Sequence, residues 1–136
     1  MTTIQCPCGA VKLELEGPAV AQFFCHCDDC QRVHGAAYVP VAMYPAERVK
    51  IVSGQPLRWK LTTNERATCG ACGTRLFAEP AGIGMRGVMA SLLPKGSFTP
   101  QFHMQCQHAV APVSDDLPHF KGFPSAFGGS DETMTW

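Results

Sequence analysis

The chain has 136 residues, 46% of them hydrophobic, and its eleven basic and eleven acidic side chains balance to a net charge of zero. This length and composition fit one domain with its own core, so we expect a single domain over residues 1–136 and not a disordered chain. The sequence shows no basic excess for nucleic-acid binding and no apolar stretch of the roughly 18–20 residues that span a bilayer. Its first residues lack a charged leader followed by an apolar run, so we expect a cytoplasmic protein.

Short segments with strand character, separated by glycine and proline, run along most of the chain. Turn signals at intervals of about 8–12 residues predict a mainly β fold of small antiparallel sheets. The strands are predicted at residues 11–16, 37–44, 48–53, 57–63 and 74–79 and, with weaker alternation, at 85–93 and 101–107. Residues 28–35 predict one short helical turn, with Asp28 or Asp29 at its N-cap and Gly35 at its end. From about residue 122 the turn-rich sequence predicts an irregular tail.

Seven of the eight cysteines fall into spaced groups, and Cys106 stands alone. Closely spaced cysteines in a cytosolic protein are most often metal ligands or redox groups, because the compartment keeps thiols reduced. The groups are C-x-C at Cys6 and Cys8, C-x-C-x-x-C at Cys25, Cys27 and Cys30, and C-x-x-C at Cys69 and Cys72.

The first and last groups form a matched pair of glycine-flanked turns, each next to a predicted strand. Brought together by strand pairing, Cys6, Cys8, Cys69 and Cys72 supply the four ligands that structural zinc binds in a tetrahedron. Such a site would tie the N-terminus to the middle of the chain and contribute folding energy. Buried thiols without a metal, a redox pair, and iron instead of zinc are the alternatives.

The middle group offers three thiolates and no obvious fourth ligand. Three protein ligands with one open position are typical of a catalytic zinc, so we interpret Cys25, Cys27 and Cys30 as an open metal site. His34, four residues after Cys30, and Cys106 are the candidates for a fourth ligand. In an extended segment His26 would point away from Cys25 and Cys27.

Taken together and in this order, the segments "CPCGAVKLELEG", "CHCDDCQRVHGAAYVP", "CGACGTRLF" and the late "LPHF" resemble the glutathione-dependent formaldehyde-activating enzyme family, which includes centromere protein V. The resemblance spans about residues 5 to 120. It implies a β-tent with a structural zinc on the outer four cysteines and a more labile zinc on the middle three.

The resemblance also implies a carbon–sulfur lyase that joins formaldehyde, or another small aldehyde, to glutathione or a similar small thiol, or releases it. Cys25, Cys27 and Cys30 would hold the catalytic zinc. Independently of the resemblance, His34 or Arg32 is a nearby donor that would stabilise the developing alkoxide. His103 fits the family's histidine position, whereas Ala109 and Pro112 stand where many members carry lysine and tryptophan, which leaves the true substrate open.

Two other functions compete with this one. The first is a zinc-stabilised binding module in which both sites are closed and no chemistry occurs. The second is an enzyme similar to methionine sulfoxide reductases, which would need a free activated cysteine, and Cys106 is the one candidate for it.

Overall fold

A computed structural model describes residues 1–136. The chain divides into two compact units: the first comprises Met1–Ala21 and Ala42–Phe98, and the second comprises Gln22–Val41 and Thr99–Trp136. The assignment of a single domain over residues 1–136 stays a prediction. None of the helices is both long enough and apolar enough to cross a membrane.

Strands dominate, and one short α-helix follows the third of them. The strands are β1 Thr2–Gln5, β2 Lys12–Leu15, β3 Ala21–Cys25, β4 Val39–Pro45, β5 Val49–Ser53, β6 Leu57–Leu61, β7 Asn64–Thr68, β8 Arg75–Glu79, β9 Met85–Met89 and β10 Phe102–Met104. The α-helix is α1 Asp28–His34, and single 3-10 turns lie at Ala46–Arg48, Ala90–Leu92, Cys106–His108 and Ser125–Phe127.

The first unit holds a three-stranded antiparallel sheet in the order β1-β2-β5 and a second run of strands in the order β9-β8-β7-β6. On β2 the side chains alternate: Leu13 and Leu15 are fully buried, whereas Lys12 is exposed. Burying a leucine side chain contributes roughly 1.5–3 kcal/mol. The core therefore begins where the period-two pattern of the sequence predicts it.

In the second unit β10 pairs with β3, and Met104 lies opposite Cys25. Phe23 of β3 stacks on Phe102 of β10 with ring centroids 5.3 Å apart, and Phe127 meets Phe23 edge-on. The mainly β class is confirmed, and the β3–β10 pair differs from the expected antiparallel sheets in that its two strands run parallel.

The helix is confirmed, with one correction at its start. Gly35 ends α1 in the left-handed conformation, as predicted, because its φ of 59° suits a residue without a Cβ. The N-cap, however, is Cys27 and not an aspartate: the Cys27 sulfur accepts a hydrogen bond from the Cys30 amide at 3.2 Å. Asp28 and Asp29 instead lie in the first turn, where negative charge favours the helix.

The bounds of several strands differ from those predicted, and the structure contains strands that were not predicted. The segment predicted at 57–63 ends at Leu61, because Thr62 adopts a positive φ of 57° in a turn that leads into β7. The last two predicted strands are shorter than expected, each followed by a 3-10 turn. Strands β1, β3 and β7 were not predicted.

Candidate metal centres

The outer cysteines lie on two turns of the same kind in the first unit. After β1, the Gly9 amide donates to the Cys6 carbonyl at 2.9 Å, and after β7 the Gly73 amide donates to the Cys69 carbonyl at 2.8 Å. Both glycines have φ near 77°, at 78° and 76°, which residues with a Cβ rarely adopt. These turns fold the chain back so that backbone amides face the first sulfur of each pair: Val11 N lies 3.3 Å from Cys6 Sγ.

The turns bring all four outer sulfurs together. The Sγ atoms of Cys6, Cys8, Cys69 and Cys72 lie within 4.8 Å of one another, and the Cys6–Cys8 and Cys8–Cys69 sulfur distances are both 3.6 Å. A tetrahedron with metal–sulfur bonds of 2.3 Å has edges of about 3.8 Å. The spacing of these sulfurs therefore fits one tetrahedral ion. All eight cysteines of the chain are free thiols.

The environment divides the outer four into two buried and two exposed sulfurs. Cys6 and Cys69 are buried, whereas Cys8 and Cys72 are exposed. Hydrogen bonds from Thr74 lower the pKa of the Cys72 thiol to about 6. The Ala10 amide favours the thiolate of Cys8, but hydrogen bonds with Cys6 and Cys72 outweigh it and raise the pKa of Cys8 to about 12. Without a cation, then, Cys8 stays a neutral thiol at a pH where Cys72 is ionised.

The middle cysteines converge in the second unit at the junction of β3 and α1. Cys25 is the last residue of β3, Cys27 is the N-cap of α1 and Cys30 lies in the helix. Their sulfurs lie within 4.8 Å of one another. Cys25 is buried, and Cys27 and Cys30 are half-buried.

Crowding of these thiols opposes ionisation of the Cys25 thiol. The neighbouring sulfurs of Cys27 and Cys30, together with burial, raise the pKa of the Cys25 thiol well above its usual range. Three adjacent thiolates repel one another, so a divalent cation is the natural counter-charge for such a cluster. The donor set is soft and suits zinc, Cu(I) or iron–sulfur chemistry.

The remaining candidate residues lie outside both cysteine clusters. His34 is half-buried at the end of α1, and its ring is not among the grouped ligand atoms. Cys106 is fully buried at the start of a 3-10 turn, and burial raises the pKa of its thiol to about 11. A thiol with so high a pKa is a poor nucleophile, which argues against the free activated cysteine of a sulfoxide reductase. Arg32 is exposed.

A second polar network was not predicted from the sequence. His26 is buried and lies outside both cysteine clusters, and its Nε2 lies 2.8 Å from His103 Nδ1. The other nitrogen of His103 lies 2.7 Å from Asp115 Oδ2, and His119 Nε2 lies 2.9 Å from Asp115 Oδ1. Partial burial opposes ionisation of Asp115, but hydrogen bonds from His103 and the Leu117 amide hold the pKa of its carboxyl below its usual value.

Only part of this network left a signal in the sequence. His103 was assigned to the family's histidine position, and His119 lies within the "LPHF" segment, whereas His26 was expected only to point away from Cys25 and Cys27. Asp115 stands in "SDDLP", which is typical of a solvated loop, and its partners are remote in sequence.

Fold and sites together define a small, mainly β protein with two cysteine clusters that could each hold a metal ion. The model of the glutathione-dependent formaldehyde-activating enzyme family matches residues 1–108, and the chain belongs to this family. No curated protein matches the chain.

A solved structure supports the fold. A crystal structure of a Rhodobacter sphaeroides protein is similar with a TM-score of 0.58 and 21% sequence identity, covering 73% of this chain and 92% of that one. At this identity the likeness shows the fold alone.

Proposed function

We propose that the chain is a zinc-dependent carbon–sulfur lyase that joins formaldehyde, or another small aldehyde, to glutathione and also releases it. The observation that carries the proposal is the convergence of three sulfurs, from Cys25, Cys27 and Cys30, in a chain that belongs to a family named for this activation. Both centres need reduced thiols, so a reducing compartment such as the cytoplasm suits the activity.

In this proposal the two cysteine clusters have different roles. Cys6, Cys8, Cys69 and Cys72 would close around a structural zinc, because four sulfurs complete its coordination. Cys25, Cys27 and Cys30 would hold a second zinc with one position open for the thiol. Such an ion, when bound, supplies positive charge that lowers the pKa of a thiol beside it.

The chain's own residues fix the geometry of the open cluster. Cys25 is anchored by the β3–β10 pairing, in which Met104 lies opposite it. Cys27 is held by its bond with the Cys30 amide, which also starts α1. Four residues after Cys30, His34 lies on the same helix face and is the nearest candidate in sequence to donate to the substrate oxygen.

The reaction itself is an addition. The thiol sulfur forms a bond with the carbonyl carbon, the carbonyl π pair moves to the oxygen, and that oxygen takes up a proton as the thiol loses one. The reverse reaction breaks the same carbon–sulfur bond. Thiols add to formaldehyde without help, so activity must be measured as the excess over the spontaneous rate.

The substitution Cys27→Ser tests the catalytic role with little damage to the helix. Serine is among the preferred N-cap residues, so it can still accept the Cys30 amide while it removes a soft metal ligand. We expect adduct formation above the spontaneous rate to be lost and the far-ultraviolet circular dichroism to be retained. Cys106→Ala, which removes a thiol outside both clusters, should keep the activity.

Two results would count against the enzyme. Equal rates for Cys27→Ser and the parent would remove the catalytic role of this cluster. If glutathione leaves the spectrum of the cobalt-substituted protein unchanged, the cluster is closed to thiols, and the zinc-stabilised binding module is the better description.

A further inference from the structure

A group of two histidines and one aspartate in the second unit lies outside both cysteine clusters. We name His103, Asp115 and His119 the His–Asp–His cluster; their ligand atoms lie within 4.8 Å of one another. His103 comes from β10, and the other two follow it in the chain. Each imidazole presents its Nε2 to a different oxygen of the one carboxylate, at 2.7 and 2.9 Å.

The 2.7 and 2.9 Å distances are those of hydrogen bonds, and they are also short enough for the same groups to share one metal ion. Metal–nitrogen and metal–oxygen bonds of about 2.0–2.1 Å at right angles place neighbouring ligand atoms about 3 Å apart. Two imidazoles and one carboxylate with open positions are also a recurrent ligand set for divalent iron, and imidazole suits zinc, copper and nickel as well.

The ligands are oriented by a further layer of hydrogen bonds. His103 Nδ1 lies 2.8 Å from His26 Nε2, and the Leu117 amide donates to Asp115 Oδ1 at 3.0 Å. Metal-binding histidines almost always use the second ring nitrogen in this way, which fixes the ring and its tautomer. His103 is completely buried, and so is His26.

The three side chains of the cluster differ in their exposure to solvent. The side chain of His103 has no exposed surface, whereas the side chains of His119 and Asp115 are 12% and 32% exposed. An ion held here would therefore keep positions open to water or a small ligand, with its buried side closed by His103.

We propose that the His–Asp–His cluster is a separate metal site, which binds one divalent first-row transition-metal ion through two imidazole nitrogens and a carboxylate. This proposal goes beyond the lyase activity and does not depend on that activity, because the site shares no ligand with either cysteine cluster. Its nitrogen and oxygen donors are harder than thiolates, so its metal preference differs from theirs.

Cobalt provides the test, on the full chain with zinc already bound to its cysteines. We expect isothermal titration calorimetry with Co²⁺ to show one additional equivalent. The product should lack the near-ultraviolet charge-transfer absorption that thiolate coordination gives. His119→Gln and Asp115→Asn should each weaken this binding at least about 10-fold, the lower range for loss of a partner that supports a metal ligand.

His108→Gln serves as the matched control, because His108 is an exposed histidine of the same unit and lies outside the cluster. Unchanged circular dichroism and zinc content would show that each variant folds; should Asp115→Asn fail this check, His119→Gln alone decides. If the parent protein binds no cobalt other than at its cysteine clusters, the His–Asp–His cluster is only a set of hydrogen bonds, and the proposal is wrong. Equal cobalt affinity in His119→Gln and the parent would also overturn it.

A second measurement reports which ring nitrogens of His26 and His103 carry a proton. Where His103 is neutral and donates from Nε2 to Asp115, its Nδ1 accepts a hydrogen bond from His26 Nε2. A metal on His103 Nε2 moves the proton to Nδ1 and reverses the direction of the His26–His103 bond. Nitrogen-15 NMR of the imidazoles should show this reversal on addition of Zn²⁺; unchanged tautomers in the presence of bound metal would place the metal elsewhere.

Discussion

Replacement of a buried ligand in the outer cluster is the sharpest test of its role in folding. Cys69→Ala and Cys106→Ala remove the same side chain from sites that are both 1% exposed. Only Cys69 lies among the four sulfurs that converge. The pair therefore separates loss of a metal ligand from loss of ordinary packing.

The size of the effect follows from the length of chain that the cluster closes. Cys8 and Cys69, whose sulfurs lie 3.6 Å apart, are separated by 61 residues. Closing a loop of this length costs about 4 kcal/mol of chain entropy by the expression used for cross-links. A structural zinc in small domains contributes about 10–16 kcal/mol of apparent binding energy. We therefore expect Cys69→Ala to lose at least about 4 kcal/mol, against roughly 1 kcal/mol for Cys106→Ala.

Urea unfolding can resolve this difference. With an m value of about 2 kcal/mol/M, the two losses shift the midpoint by roughly 2 M and 0.5 M. Trp59 reports on the first unit, because its indole N–H donates to Thr68 Oγ1 at 2.9 Å. Trp136, the other of the chain's two tryptophans, lies in the second unit with Cys106, so the combined fluorescence of the two tryptophans follows both variants.

Metal content completes this experiment. We expect the zinc bound per chain to fall in Cys69→Ala and to stay at the parent value in Cys106→Ala. Equal urea midpoints for the two variants, or full zinc content in Cys69→Ala, would refute the assignment of the outer cluster as a metal site that stabilises the fold.

Three further predictions concern single positions. At pH 8 a thiol with a pKa of about 11 is ionised in only about one molecule in a thousand, so Cys106 should resist iodoacetamide in the native protein and react on unfolding, as mass spectrometry of the labelled peptides can show. Gly54→Ala should lower the melting temperature far more than Gly82→Ala: both positions have φ near 79°, at 80° and 78°, but an added Cβ at Gly54 would lie 1.9 Å from a backbone oxygen while Gly82 has open space. The hydrogen bond from Lys50 lowers the pKa of Glu16; NMR titration should show this pKa rise in Lys50→Met, and the small stabilisation, present above the unfolded pKa of about 4.3, should vanish as the pH falls through the folded value.

Turns, helix ends and the buried face of a strand could be predicted from the local sequence. The outer cysteine turns were predicted from cysteines beside glycines, because a chain reversal needs residues that accept positive φ. The end of α1 at Gly35 was predicted for the same reason. Alternation in β2 predicted which of its side chains are buried, since period two places Leu13 and Leu15 on one face.

Strands that lack a local hydrophobic pattern, or that pair across long stretches of chain, were not predicted. β7, with the sequence NERAT, lacks an apolar alternation, yet Arg66 is only 5% exposed and lies over the Trp59 ring at 5.9 Å. β3 was not predicted because its apolar residues are followed directly by the cysteine motif. The parallel pairing of β10 with β3 joins segments almost eighty residues apart, and no local pattern encodes such a contact.

The two cysteine clusters differ in the length of chain between their cysteines. This difference indicates which cluster stabilises the fold and which is suited to a reaction. The outer cluster joins two turns that are more than sixty residues apart and includes two fully buried sulfurs, so loss of its ion would release a long loop of the first unit. The middle cluster spans Cys25 to Cys30, whose geometry is already fixed by β3 and the start of α1. Loss of an ion there frees almost no chain. An ion held in the middle cluster could therefore exchange, or accept a thiol, without unfolding the protein, as the proposed labile zinc would require.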